Sequence, residues 1–399
     1  SPDPVLAQDV PTGPVDIDGT TAPSYDPTRT PRVVVVENGG ANGLLLLGGA
    51  SGSTIKGMTF GGFVYGVYLN GTSNVWIDKC AFGIHNHVAP YFAIDPNQVG
   101  IHVNVLSSDT WIGAKVQNDA FIGSGNTISA NVVGIETYGT NTHILANEIG
   151  TDPSGTLAEG RFNAVGAVFS LGNTSHGIVV GAGVGLEIGR VLETTSGVKV
   201  RGNLISNNDG HGIDVVETSN QPTLPGMSIV ANTIGTDTTG TLDFGNALSG
   251  VYVSDAAADL VIGGDLPEEG NRVAGNDGDG IELGLGGVGD TRIEGNTVGL
   301  ASDGVGALPN GFQAIRLDGG DPVVVKGNVV AHSPYNGILI GSDPLQSVGT
   351  ARVLSNWIGV TANGDDVGHV LSGIRVDAGD VTIRDNTIGE SRVGIELAA

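Results

Sequence analysis

The sequence predicts an all-β protein, a single solenoid of short parallel strands preceded by an extended arm. Three observations carry this. A short unit, cleanest from Asp279 to Gly299 (DGIELGLGGVGDTRIEGNTVG), recurs along nearly the whole chain. Self-similarity at a period of 20–50 residues overrides the two or three domains that 399 residues would otherwise suggest. The segments between turns are short and aliphatic, with period two and no helical pattern. Finally, 67 glycines with only 5% aromatic residues suit many tight turns.

The elements follow in chain order. Residues 1–32 hold Pro2, Pro4, Pro11, Pro14, Pro23, Pro27 and Pro31, a density that excludes helix and central strand. This stretch reads as an extended arm with an edge strand at Val15-Asp16-Ile17. Residues 33–399 form the repeating body. A Gly-aliphatic-x-aliphatic strand returns at Gly66, Gly100, Gly134, Gly177, Gly212, Gly250, Gly280, Gly337 and Gly373. A second strand precedes Asn147, Asn203, Asn232, Asn296, Asn328, Asn356 and Asn386. Stacking such coils aligns these asparagines, whose amides can bond from rung to rung and which tolerate the left-handed conformation expected at that turn. Roughly a dozen rungs at ~4.8 Å give a rod of about 55–60 Å. Two segments break the rhythm, residues 84–99 and 157–197. Long excursions from a solenoid are where contacts gather.

These repeats resemble the right-handed parallel β-helix proteins of the pectate-lyase-like superfamily. The likeness is to secreted bacterial repeat proteins with Asn-x-Ile-Gly-Thr-Asp segments, here Asn147 to Asp152 and Asn232 to Asp237, and with an opening like Ile17-Asp-Gly-Thr-Thr21. It implies a right-handed parallel β-helix. For activity it implies only a range: lyases, hydrolases, epimerases, adhesins, phage spikes and structural rods.

Charge narrows the partners. Seventeen basic and 42 acidic residues leave a net −25, which disfavours nucleic acid, anionic membrane and polyanionic glycans unless metal ions bridge the charges. No apolar run approaches the ~20 residues of a membrane span. Ser1 does not begin a signal peptide, so any export signal is expected to have been removed. The single cysteine, Cys80, permits no intrachain disulfide. It falls in the asparagine column and reads as a turn residue rather than a nucleophile. An extracellular or cell-surface location is expected.

Candidate chemistry lies in one stripe. The residue between the two aliphatics of the Gly-led strand faces outward, which puts Asp214, Tyr252, Glu282 and Arg316 on consecutive rungs. Such a stripe is what a carbohydrate-active enzyme needs; the plain alternative is a solvated sheet face with unlike charges on neighbouring rungs. Gly210-His211-Gly212 is similar to a polygalacturonase motif. The same slot holds His176, Ser249, Asp279, Asn336 and Ser372 elsewhere, which makes it simply a polar position before glycine. His85, His87 and His102 are candidate metal ligands without a third ligand set by spacing, so no metal site is expected. Cations gather on the second strand (Lys56, Lys79, Lys199, Arg201, Arg292, Lys326, Arg352, Arg384), either as a basic face for an acidic neighbour or as local neutralisation. The turns at Asp152, Asp237, Asp303 and Asp366 invite incidental Ca2+, but lack the nonapeptide signature of a dedicated site. No cofactor is expected.

Two functional classes follow, and the chain ends favour one. The last rung, Ser391 to Ala399, is a full body strand without a polar cap. An uncapped solenoid end is adhesive. The favoured expectation is therefore an extracellular structural protein whose rods stack head to tail into a filament, through Ile395, Leu397 and Ala399 at one end and Val15 and Ile17 at the other. The alternative is a secreted polysaccharide hydrolase or lyase acting on a neutral or calcium-bridged glycan along the stripe. A phage or cell-surface adhesin using residues 84–99 is the third reading.

Overall fold

In the computed structural model, residues 13–22, 33–85, 92–162, 167–181, 183–216, 226–254, 259–284, 290–342 and 348–398 are described. A typical rung makes three strands, not two. Ser228–Ile229, Thr233–Ile234 and Val251–Val253 form one turn of the coil; Val261–Gly263, Arg272–Val273 and Ile281–Leu283 form the next. Equivalent strands pair in parallel, Ser228 with Val261, Thr233 with Arg272 and Val251 with Ile281. The chain is thus a parallel β-helix with three faces, coiled right-handed as the twist of parallel strands requires. The first face is a twelve-stranded sheet. The other two are joined by the long strands Val33–Leu47 and Met58–Asn70, which pass through both. The middle face escaped the sequence reading because its strands are two residues long. Thr297–Val298, between Asn296 and Gly299, reads as part of a turn.

Inward side chains stack in columns. On the first face Ile77, Ile112, Ile144, Ile188, Ile229, Ile262 and Ile293 succeed one another, each fully buried. Burying each such side chain contributes about 1.5–3 kcal/mol, which is why so many two- and three-residue strands hold together.

The turns are held by two asparagine ladders. In the first, the Asn147 side chain donates to Asn203, Asn203 to Asn232 and Asn232 to Asn271, at 2.9–3.0 Å. Cys80 begins this ladder by donating its backbone amide to Asn126. Burial pushes the Cys80 thiol up to about 12, which keeps it from acting as a nucleophile at neutral pH. The second ladder joins Asn97, Asn131, Asn173, Asn208, Asn246, Asn276 and Asn310 at the opposite turn. Most of its members stand four residues before a body glycine, a spacing present in the sequence that the sequence reading passed over. The left-handed residue is not the ladder asparagine, as expected, but the one before it: Ala130, Ala146, Asn207, Ala231 and Ser355 all have positive φ. The chain must reverse there so that the asparagine itself can point its amide inward along the stack.

The irregular segments resolve into hairpins. Ile84–His85 pairs with Ala93–Ile94, and Phe92 packs with Ile84 and Leu171. Within 157–197, the hairpin Glu159–Phe162/Ala167–Ser170 is followed by an ordinary rung containing Ile178–Val180, then by Arg190–Thr194/Gly197–Arg201. Lys199 and Arg201 therefore stand on a protruding hairpin rather than on the cation-bearing sheet strand. Gly189 (φ +80°) lets the chain leave the sheet after Glu187–Ile188.

Of the arm, Asp16–Asp18 pairs with Thr54–Lys56 as the first strand of the rod. Ile17 packs on the chain's own core, as its register with Ile55 demands, and Val15 beside it donates its amide to Ser53. At the other end Val393, Ile395 and Leu397 are 38, 46 and 72% exposed, and their strand pairs with Ser372–Val376. Ala399 lies outside the described residues, as do residues 1–12 and 23–32 of the arm and His87.

Candidate functional site

The outward column of the third face runs Tyr68, His102, Glu136, Val179, Asp214, Tyr252, Glu282, Arg316, Leu339, Arg375, Glu396. Asp214, Tyr252, Glu282 and Arg316 thus occupy four consecutive rungs. They do not form a solvated face. The side chains of Asp214 and Glu282 are only 10 and 17% exposed.

A second column, three residues earlier on each rung, explains that burial. It is the polar position before glycine, and it forms a ladder of its own. His176 Nδ1 accepts the backbone amide of His211, His211 Nδ1 that of Ser249, Ser249 Oγ that of Asp279, and Asp279 Oδ1 that of Gln313. The conformation of His211 therefore follows from the solenoid repeat. The ladder also sets the tautomers: a histidine accepting at Nδ1 carries its hydrogen on Nε2. Burial, with His176 nearby, pushes His211 down to about 4 and keeps it neutral. Its ring stacks on His176 at 5.4 Å and on Tyr252 at 4.5 Å between centroids.

The carboxylates divide into two environments. Asp214 has Oδ2 3.6 Å from His176 Nε2, while its buried Oδ1 has no hydrogen-bond partner. Burial pushes its carboxyl up to about 6. Glu282 is held on both sides, accepting from Ser249 Oγ at 2.7 Å and lying 3.7 Å from Arg316. Asp279, absent from the predicted stripe, is also 3.7 Å from Arg316, and burial together with Glu282 pushes it up to about 7. Arg316 is further bound to Asp318 at 2.5 Å. Burial works against its charge, but these three carboxylates outweigh it and raise its pKa. One cation thus serves three acids. Asp279 went unread because its approach to Arg316 depends on which rungs are adjacent. Asp318 stands only two residues after Arg316, on the same face of its strand, and was legible but not read.

Other sequence candidates lie elsewhere. His85 bonds Asp95, and His102 Nδ1 is 2.6 Å from Glu136. Each histidine has its own carboxylate, and no group of three or more metal-binding side chains occurs among the described residues. The Asp152 carboxylate accepts from the amides of Ser154, Thr156 and Leu157, and that of Asp237 from Thr239, Thr241 and Leu242. These turns are closed by their own backbone. On the first face Lys56 caps Trp76, and Trp111 stacks on His143, which bonds Glu187. That cladding is internally satisfied. No described helix is long and apolar enough to cross a membrane.

No protein-family model and no curated protein matches the chain. Among solved structures it is similar to a mannuronan C-5 epimerase A-module of Azotobacter vinelandii, at 12% identity and a TM-score of 0.48, over 92% of this chain and 81% of that one. It is similar to a thermostable GH87 α-1,3-glucanase catalytic unit of Streptomyces thermodiastaticus at 15% identity and a TM-score of 0.48, over 96% and 65%. The Dettilon tailspike protein is similar at 14% identity and a TM-score of 0.43, over 96% and 68%.

Proposed function

We propose that the chain is a polysaccharide-active enzyme that hydrolyses a neutral glycan on the third face, outside the cytoplasm. The observation that carries this is Asp214: a carboxyl removed from water, raised to about 6, with one oxygen left without a partner beside an aromatic stack. Such a group is suited to donate a proton to a glycosidic oxygen as the C–O bond breaks. Glu282, two rungs on, is suited to take a proton from the water whose oxygen bonds to the anomeric carbon. Two rungs are ~9.6 Å, slightly beyond the ~6.5–9.5 Å typical of inverting glycosidases, and side-chain tilt must close the difference. A neutral substrate fits better than a uronate, because Arg316 is already held by Asp279, Glu282 and Asp318.

Incubating the protein with a panel of neutral and acidic polysaccharides, and assaying reducing ends, tests this. Hydrolysis of a neutral glycan that falls ~10²–10⁴-fold in both Asp214→Asn and Glu282→Gln is the expected result. Activity retained in both variants removes the assignment.

A second reading, head-to-tail stacking of copies, is favoured by the exposed last rung, whose Ile395 and Leu397 continue inward columns of the rod. Sedimentation of the parent and of Ile395→Asp tests it. Concentration-dependent association that the variant abolishes supports stacking; a parent that stays monomeric at all concentrations excludes it.

A further inference from the structure

N-terminal to Asp214, three tyrosines close around His102, which with Tyr68 belongs to the same outward column. The ring centroids of Tyr65, Tyr68 and Tyr138 lie 4.8, 4.9 and 5.7 Å from that of His102. The charged groups of this cluster are spent on one another. His102 takes one oxygen of Glu136 at 2.6 Å, and the Tyr138 hydroxyl donates to the other at 2.8 Å. Burial raises the Glu136 pKa, but these two bonds outweigh it and hold it below the ordinary carboxylate range. What remains for a ligand is half-buried ring surface, the Tyr65 phenol and the hydrogen of the Tyr68 phenol, whose oxygen accepts from Asn104 Nδ2 at 3.3 Å.

The cluster is also joined to the proposed active site. The Tyr138 ring lies across Gly181, where a Cβ would come within 2.1 Å of it. That glycine lets the ring reach the rung of Val179, the one directly before Asp214. Val179 is small, uncharged and 9% exposed, so it interrupts nothing.

We propose that Tyr65, Tyr68 and Tyr138 form a distal pyranose-binding platform, so that the ligand is a neutral polysaccharide lying along the rod axis over at least five rungs, four steps or ~19 Å. This rests on the reading of the Asp214 to Arg316 cluster as a glycan site. A pyranose has an apolar C–H face and a rim of hydroxyls, and tyrosines offer a partner to each. An ionic ligand would find no unspent countercharge among these residues.

The test uses the full chain carrying Glu282→Gln, titrated by calorimetry with gluco-, xylo- and manno-oligosaccharides from disaccharide to octasaccharide. Affinity should rise with length in one series, and the rise should shrink about tenfold in Tyr65→Leu and in Tyr68→Leu, the scale of losing one buried ring face. Leucine keeps bulk at the rod surface, and melting curves check that the variants are folded. Length dependence unchanged in both variants, or binding by the parent that does not depend on length, overturns the platform and leaves the Asp214 site standing. No binding of any oligosaccharide by the parent overturns both.

Discussion

The Nε2 atom of His176 stands 3.6 Å from Oδ2 of Asp214, one rung further along, while its Nδ1 accepts the backbone amide of His211. The ladder bond keeps the hydrogen on Nε2, so a neutral donor, not a cation, faces Asp214. Without a full charge beside it, the carboxyl feels burial undiminished and rises to about 6.

Activity should follow that proton. If Asp214 must be protonated to act as the acid, hydrolysis declines as pH rises through about 6, so the alkaline limb of kcat/KM, which reports the free protein, lies near that value. A limb fixed by another group would stay in place when Asp214 is replaced by Glu; the expected result is that it moves.

Stability should carry the same signature with a defined sign. The folded pKa of Asp214 is raised above its unfolded value, so its contribution is fully present below about pH 4 and is lost as pH rises through about 6. The two-unit span corresponds to on the order of 3 kcal/mol. Asp214→Asn should therefore gain stability relative to the parent between pH 4 and 7, measured by urea unfolding at each pH. His211 and His369, both pushed down to about 4 chiefly by burial, act oppositely and lose stability as pH falls from 6.5 toward 4. The difference between variant and parent isolates the aspartate.

Position along the asparagine ladder should set the cost of breaking it. Asn232 is 1% exposed; it accepts from Asn203 and donates to Ile188, Val230 and Asn271. Asn232→Ala leaves several buried groups unpaired and should cost on the order of 3–5 kcal/mol. Asn386, last in the ladder and half-exposed, can exchange its partners for water, so Asn386→Ala should cost about 1 kcal/mol. Chemical denaturation of both variants checks the ratio.

Strain at the turns should be removable. Ala231 holds φ +60°, where a Cβ costs about 1–2 kcal/mol. After the entropic penalty of glycine, Ala231→Gly should raise stability by about 0.5–1 kcal/mol, read as a higher urea midpoint with unchanged m.

Much of this molecule is written locally. Gly280-Ile-Glu-Leu283 shows one strand, Thr291 to Glu294 the next, and the isoleucine-before-asparagine pattern shows the stacking between them. The two-residue face was not legible, because Thr297–Val298 has one inward residue and no alternation to detect. Nor was the second ladder, although its spacing was present in Asn208 to Gly212 and Asn246 to Gly250. Lys199 and Arg201, on the second arm of a protruding hairpin, read as sheet-strand residues because Val198-Lys-Val-Arg201 has the same composition as one.

By itself, the sequence determined the parallel solenoid, its period and the succession Asp214, Tyr252, Glu282, Arg316, since each strand is recognisable within its own repeat and the repeats stack in chain order. The tertiary structure alone decided that Asp279 and Glu282 share Arg316 across rungs, that His176 faces Asp214, and that three tyrosines enclose His102. The physical reason is that neighbours along the rod are separated by loops and hairpins of unequal length, so a contact 4–5 Å away in space has no fixed distance in the chain.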